Sequence, residues 1–190
     1  VVKPGMTVFV GSACGTPRTL VSTLQAMAAD KPLDLTLVHF LTDGAIPVGA
    51  HGRSTWFTHK VFFAGAEARE VYSRGRIEYI PISLPSVHRL LEAGGLPLDV
   101  ALIQVAPPDA NGQCSLGVSV DIAPTAVYAA RTVIAEVNPR MPRSHGDGLV
   151  HHHRFAAAVA TDELLPEHPM GELGEQELAI GRHCAGLIED

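Results

Sequence analysis

MTVFVGSACGTP, residues 6–17, is the stretch whose reading decides the fold. Met6, Val8 and Val10 alternate with Thr7 and Phe9 in a β-branched and aromatic segment too short for a helix, which predicts a buried strand of an α/β sheet. Gly11 ends it. Gly11, Ser12, Ala13, Cys14 and Gly15 carry almost no side-chain bulk, so a ligand can approach the main chain and the loop's N–H groups can converge on an anion. Thr16 is then the expected N-cap and Pro17 the first helical residue, with the positive end of the helix dipole facing whatever the loop holds. Steric need alone also makes such turns glycine-rich, and neither GxGxxG nor the GK[ST] ending of a phosphate loop is present.

Outward from that loop, residues 17–29 carry Leu20, Val21, Leu24, Met27 and Ala28 at helical spacing, and residues 33–41 read as a second buried strand. The first forty residues are therefore a βαβ unit with a right-handed crossover. His39 lies inside the second strand, as a satisfied histidine near its carboxyl end. Residues 42–56 form a long surface loop. Short strands over 60–64 and 77–81 flank a helix over 66–73 that Gly75 stops, and a helix over 84–93 closes at Gly94 and Gly95. DVALIQV, residues 99–105, is the clearest strand. PPDANGQCSLG follows, with turn chemistry at Pro107, Pro108, Asp109, Asn111 and Gly112 and a second flexible point at Gly117. Asp121 or Thr125 opens an alanine-rich helix through Arg131, and residues 132–138 read as a last strand ending in NPRMP. Beyond Pro142 the pattern dissolves into a polar glycine and histidine loop (144–154), an acidic stretch with prolines (163–174) and a helix (175–188). The alternation predicts a mainly parallel sheet flanked by helices, with ligands outside the carboxyl ends of its strands, where the GSACG loop, the PPDANG loop and the NPRMP turn gather.

Composition narrows the function. The 190 residues carry a net charge of −6, with 14 Lys+Arg in no basic cluster, which excludes nucleic acid as the expected partner. No apolar run spans a bilayer and no signal-peptide pattern opens the chain, so the expectation is a cytoplasmic protein with no membrane partner. Three scattered cysteines without a CxxC pair suggest neither a disulfide framework nor a zinc knuckle.

Several residues have chemistry to offer. Cys14 at a helix N-terminus can be a nucleophile, for which the sequence assigns no general base although His39 or His145 could come near, or simply a small packed side chain. Ser12 has the same two readings, and the GxSxG elbow is not matched. Asp109 and Asp121 fit turn and cap roles. His145 with His151, His152 and His153 is a local density of metal ligands. Neighbouring side chains of an extended segment point to opposite faces, however, and HExxH is absent, so no metal is expected.

VKPGMTVFVGSACGTP, GRIEYIPISLPSVHRLL, LPLDVALIQVAPPDANGQCSLGVSVD and VIAEVNPRMPRSHGD together resemble the amino-terminal half of the acetyl-CoA hydrolase/transferase family, which includes 4-hydroxybutyrate, succinyl:acetate and butyrate CoA-transferases. The resemblance runs over nearly the whole chain. It implies a three-layer α/β/α sandwich, with residues 1–142 as an α/β domain and residues 143–190 as a loop and terminal helix leading toward a carboxyl-terminal half. It also implies coenzyme A as a substrate, with an acyl-CoA and a short-chain carboxylate as partners. The family's glutamate attacks the acyl-CoA thioester, passing through an anhydride to a glutamyl-CoA thioester. That glutamate and its glycine-rich oxyanion loop lie in the family's other half, so no catalytic residue is carried over. Gly11, Ser12, Cys14 and Gly15 are expected to line the acyl or carboxylate pocket. Asp109 and Gly112 shape a nearby loop, and Asn138, Met141 and Pro142 form a strand-end turn with His145 close by. The isolated chain is expected to be inactive and to need its own carboxyl-terminal half or a companion subunit, with a homodimer as a further possibility. The rival readings are a non-catalytic acyl-CoA or carboxylate-binding partner domain of the same fold, and a thiol hydrolase using Cys14.

Overall fold

The computed structural model describes residues 1–31, 33–42, 57–65, 68–69, 76–167 and 171–188. Their elements, in chain order, are β1 (Thr7–Val10), α1 (Arg18–Asp30), β2 (Leu35–His39), β3 (Phe57–Val61), β4 (Arg76–Tyr79), α2 (Leu84–Glu92), β5 (Val100–Val105), β6 (Gln113–Ser115), α3 (Ala123–Ala129), β7 (Thr132–Val137), β8 (Leu149–His151), β9 (Ala157–Ala160) and α4 (Glu175–Ala185). A 3-10 turn, His152–Arg154, joins β8 to β9.

Seven strands pair in the order β4-β3-β2-β1-β5-β7-β9, and every pairing is parallel. Alternation sorts the side chains into two cores. Val8, Leu35, Leu37, Phe57, Val100 and Leu102 pack with Leu24 and Ala28 of α1 on one face. Phe9, Val38, Ala101, Ile103, Val133 and Ala135 pack with α2 and α3 on the other, together with Cys114 of β6 and Val150 of β8. The result is the expected three-layer α/β/α sandwich. β5 is buried along its whole length, as its uninterrupted apolar run requires of a central parallel strand.

The chain leaves β1 in two directions: β2 to β4 lie on one side, β5, β7 and β9 on the other. The β1/β5 boundary is thus the point where strand order reverses and a crevice opens at the carboxyl edge.

Several expectations are corrected. β3 begins at Phe57, three residues before the anticipated position, and β7 is not the last strand. The stretch 144–154, read as loop, supplies β8, which pairs antiparallel with β6, and residues 157–160, given no element in the sequence reading, form β9, which extends the sheet beside β7. These strands were illegible because three or four residues are too few for periodicity and because β9, AAVA, sits on an edge with most of its side chains exposed. The expected loop over 42–56 falls outside the described residues apart from Thr42, and the expected helix over 66–73 does so apart from 68–69.

Candidate functional site

Because β1, β5 and β7 are parallel neighbours, the three segments that follow them emerge side by side at the carboxyl edge. A chain of buried amides ties them together. Gln104 of β5 donates from Nε2 to the carbonyl of Thr16 (2.9 Å), and its Oε1 accepts from Asn138 Nδ2 (3.0 Å). Asn138 also donates to the carbonyl of Glu163 (2.8 Å), and its Oδ1 accepts the N–H of Arg140 (2.9 Å). Gln104 and Asn138 are 5% and 1% exposed, so these bonds replace water rather than compete with it. Gln104 escaped the sequence reading, although a lone polar residue inside VALIQV was the available signal.

The GSACG loop is packed closely and its backbone is engaged internally. Gly11 donates to the carbonyl of Leu102 (2.9 Å), Ala13 to that of Leu41, Thr16 to that of Ala13 (3.1 Å), and Gly15 to the carbonyl of Ser12 (3.0 Å) and to Ser119 Oγ (3.2 Å). The expected convergence of N–H groups on an anion is therefore corrected for Gly11, Ala13 and Gly15. Gly15 is glycine by necessity: a Cβ there would lie 2.7 Å from Ser119 Cβ. Ser12 is buried, and its hydroxyl donates to Asp121, whose other oxygen accepts from the N–H groups of Ile122 and Ala123 (3.2 Å for the latter) ahead of α3. Asp121 thus has its expected cap-like place and also holds the loop.

Thr16 does not cap α1. Pro17 occupies the N-cap position, and Thr16 Oγ1 donates instead to the carbonyl of Ala13 (2.8 Å). The acceptor comes from across the sheet. Glu136 of β7, 1% exposed, takes the N–H of Leu20 on Oε2 at 3.1 Å. The anion favoured at this helix terminus is the protein's own. Burial pushes the Glu136 carboxyl above its usual range, against the pull of the hydrogen bond from Leu20.

Cys14 is half-buried in the loop. His39, one of the two bases considered for it, has both ring nitrogens occupied: Nδ1 faces Thr42 Oγ1 at 2.6 Å and Nε2 faces His59 Nδ1 at 3.1 Å. His39 and His59 are 2% and 1% exposed. Burial depresses their pKa values to about 3 and about 4, with His59 adding repulsion to His39, so both are neutral and His39 is the satisfied histidine its strand position suggested. His145, the other candidate base, is exposed on the loop between β7 and β8.

The remaining predicted residues form one group. Asp109 accepts the N–H groups of Asn111 (2.8 Å) and Gln113 (2.9 Å) on Oδ1 and pairs through Oδ2 with Arg143 (2.5 Å). The backbone bond from Gln113 leads the causes holding its carboxyl below the usual range. Gly112, at φ 75°, completes that turn. Met141 and the carbonyl of Pro142 lie against Gly117, where a Cβ would fall 2.2 Å and 2.7 Å from them. The fold therefore ties Gly11 to Leu102, Ser12 to Asp121, Gly15 to Ser119 and Asn138 to Gln104, and brings Asp109, Gly112, Met141 and Pro142 together through the segment 112–117. A groove of about 490 Å³ lies elsewhere, between α2 and α3 beside Leu96, Pro97 and Tyr128, at the amino edge of the sheet.

Residues 1–167 match the acetyl-CoA hydrolase/transferase N-terminal domain. The chain is 39% identical over 183 residues to the 4-hydroxybutyrate coenzyme A transferase of Clostridium kluyveri, covering 96% of this chain and 42% of that one. It is 34% identical over 194 residues to the succinyl-CoA:acetate/propanoyl-CoA:succinate CoA transferase of Fasciola hepatica, covering 100% and 40%. The crystal structure of 4-hydroxybutyrate CoA-transferase from Porphyromonas gingivalis superposes with a TM-score of 0.75 at 30% identity, covering all of this chain and 43% of that one. This chain therefore spans about two fifths of the length of the curated relatives it matches. A parallel sheet whose order reverses at the GSACG loop, matched from residue 1 to residue 167, places this chain in the acetyl-CoA hydrolase/transferase family.

Proposed function

We propose that this chain builds one wall of a CoA-transferase or acyl-CoA hydrolase cleft, which exchanges CoA between an acyl-CoA thioester and a small carboxylate through a glutamyl-CoA thioester. The glutamate belongs to a part of the enzyme outside these residues. The observation that carries this reading is the carboxyl edge at the β1/β5 boundary, where Gln104 of β5 and Asn138 lock the loop after β1 and the turn after β7 into one surface. The relatives' printed activities, transfer of CoA among 4-hydroxybutyrate, succinate, acetate and propanoate, supply the substrate class.

The chemistry of the chain supports a wall rather than a complete site. Ser12 is bonded to Asp121, His39 to Thr42 and His59, and Asp109 to Arg143. None of these pairs is the nucleophile-and-base arrangement that acyl transfer needs. What the wall offers is a rigid, small-residue surface against which an acyl group or carboxylate is positioned.

The test compares this chain alone with the same residues supplied together with the remaining three fifths of a full-length relative. Acetyl-CoA or butyryl-CoA with a short carboxylate acceptor serves as the substrate pair. Exchange is expected only in the presence of the second part. Turnover by this chain alone overturns the reading, and loss of that turnover in Cys14→Ala would turn it toward the thiol hydrolase.

A further inference from the structure

We propose that His151, His152 and His153 form a surface site for a late first-row divalent transition ion of the nickel, copper and zinc class. The extended reading of the sequence sends these side chains apart, and the fold reverses that. β8 ends at His151, and the chain turns at once into the 3-10 turn over His152–Arg154. The three ring centroids come to 4.3–4.8 Å from one another, and one ligand atom from each residue lies within 4.8 Å of the others.

Two features show that the arrangement is built into the fold. The N–H of His152 donates to the carbonyl of Gly112 (2.9 Å), which pins the turn against the 109–113 hairpin. Gly112 has no side chain where one would collide: a Cβ there would lie 2.6 Å from His152 Cδ2 and 2.9 Å from His151 Cε1 and Nε2. The imidazoles rest on that glycine as on a floor.

The donor set selects the ion. Imidazole nitrogens suit nickel, copper and zinc, whereas magnesium and calcium demand oxygen ligands. Metal–nitrogen bonds of about 2.1 Å set ligand nitrogens roughly 3.0–3.4 Å apart, within reach of small rotations by His152 and His153, both exposed. His151 Nδ1 accepts the N–H of His153 at 3.2 Å, a cap of the turn that a metal bound at His151 would replace or require the other tautomer to avoid. Arg154, the cation of the turn, directs its guanidinium away to the carbonyl of Ala130. Three imidazoles leave coordination positions to water, which makes the site exchangeable rather than structural.

This assignment is independent of the CoA reading, and its readout is binding. The metal-free chain is titrated with nickel chloride by calorimetry, with magnesium chloride as the negative control. One equivalent of nickel is expected to bind and magnesium to give no heat. The double variant His152→Ala/His153→Ala is expected to lose affinity by more than about tenfold, the loss that disturbing even an outer-shell partner of a metal site causes, with an unchanged circular dichroism spectrum. His152→Gln/His153→Gln serves as a second loss variant of similar size. His183→Ala/Cys184→Ala, which removes the exposed pair on α4, is expected to bind as the native chain does. Equal affinity and stoichiometry in both loss variants, or no uptake by the native chain at millimolar nickel, overturns the proposal.

Discussion

Two residue choices in the GSACG loop and beneath it have measurable consequences. Gly15 faces Ser119 so closely that Gly15→Ala is expected to destabilise the chain by about 1–3 kcal/mol, the usual cost of overpacking a tight site, read as a lower urea midpoint. The companion Ser119→Gly change opens the space, and the double variant is expected to recover part of the loss. The His39–His59 pair predicts a pH dependence. Unfolded histidines take up protons below about pH 6.5, whereas the buried pair resists down to about 4 and about 3. The unfolded state therefore binds more protons in that window. Stability is fully present above it and falls on acidification, by up to about 1.4 kcal/mol per pH unit for each histidine. Urea unfolding at pH 7, 6 and 5 checks the slope, and His59→Leu is expected to remove about half of it.

At the scale of elements, the first helix illustrates how a local signal can be read correctly and assigned to the wrong partner. TP before an apolar stripe marks the start of α1, which begins at Arg18. The capping acceptor, however, is Glu136, distant by 116 positions in sequence. Glu136→Ala is expected to cost about 0.5–2 kcal/mol, as loss of a cap does. Glu136→Gln keeps an acceptor for the Leu20 N–H and removes a desolvated charge. Because the carboxyl's folded pKa is raised, the folded state binds the extra proton, so the native chain loses stability as pH rises from the unfolded value through the folded one. That component is expected to vanish in Glu136→Gln, measured as a flatter stability profile on the alkaline side of pH 4.5. The Gln104–Asn138 link joins β5 to the turn after β7. Asn138→Ala strands Gln104 Oε1 in a buried position and is expected to cost about 1–3 kcal/mol, seen by thermal unfolding.

For the molecule as a whole, burial is unevenly distributed. β5 is covered throughout, while α4 buries none of its residues and exposes Leu178 and Ile180. Native-state hydrogen exchange is expected to be slowest in β1, β5 and β7 and close to unprotected in α4, because local opening of a helix without packed contacts is nearly free. Strong protection of α4 in a dilute sample would contradict this.

What the sequence by itself determined is the part of the protein governed by short-range rules. Apolar runs of five or six residues between glycine and proline punctuation marked the central strands. Helical spacing located α1 and α2, and the blocks around GSACG, PPDANG and NPRMP carried the family. Tertiary structure alone decided which polar groups meet. It set Glu136 against α1, Gln104 against Asn138, Asp121 against Ser12, and it turned three consecutive histidines onto Gly112. The physical reason is that periodicity encodes which face of an element is buried, whereas a buried hydrogen bond depends on where distant strands come to lie, and strand order is written in no local pattern.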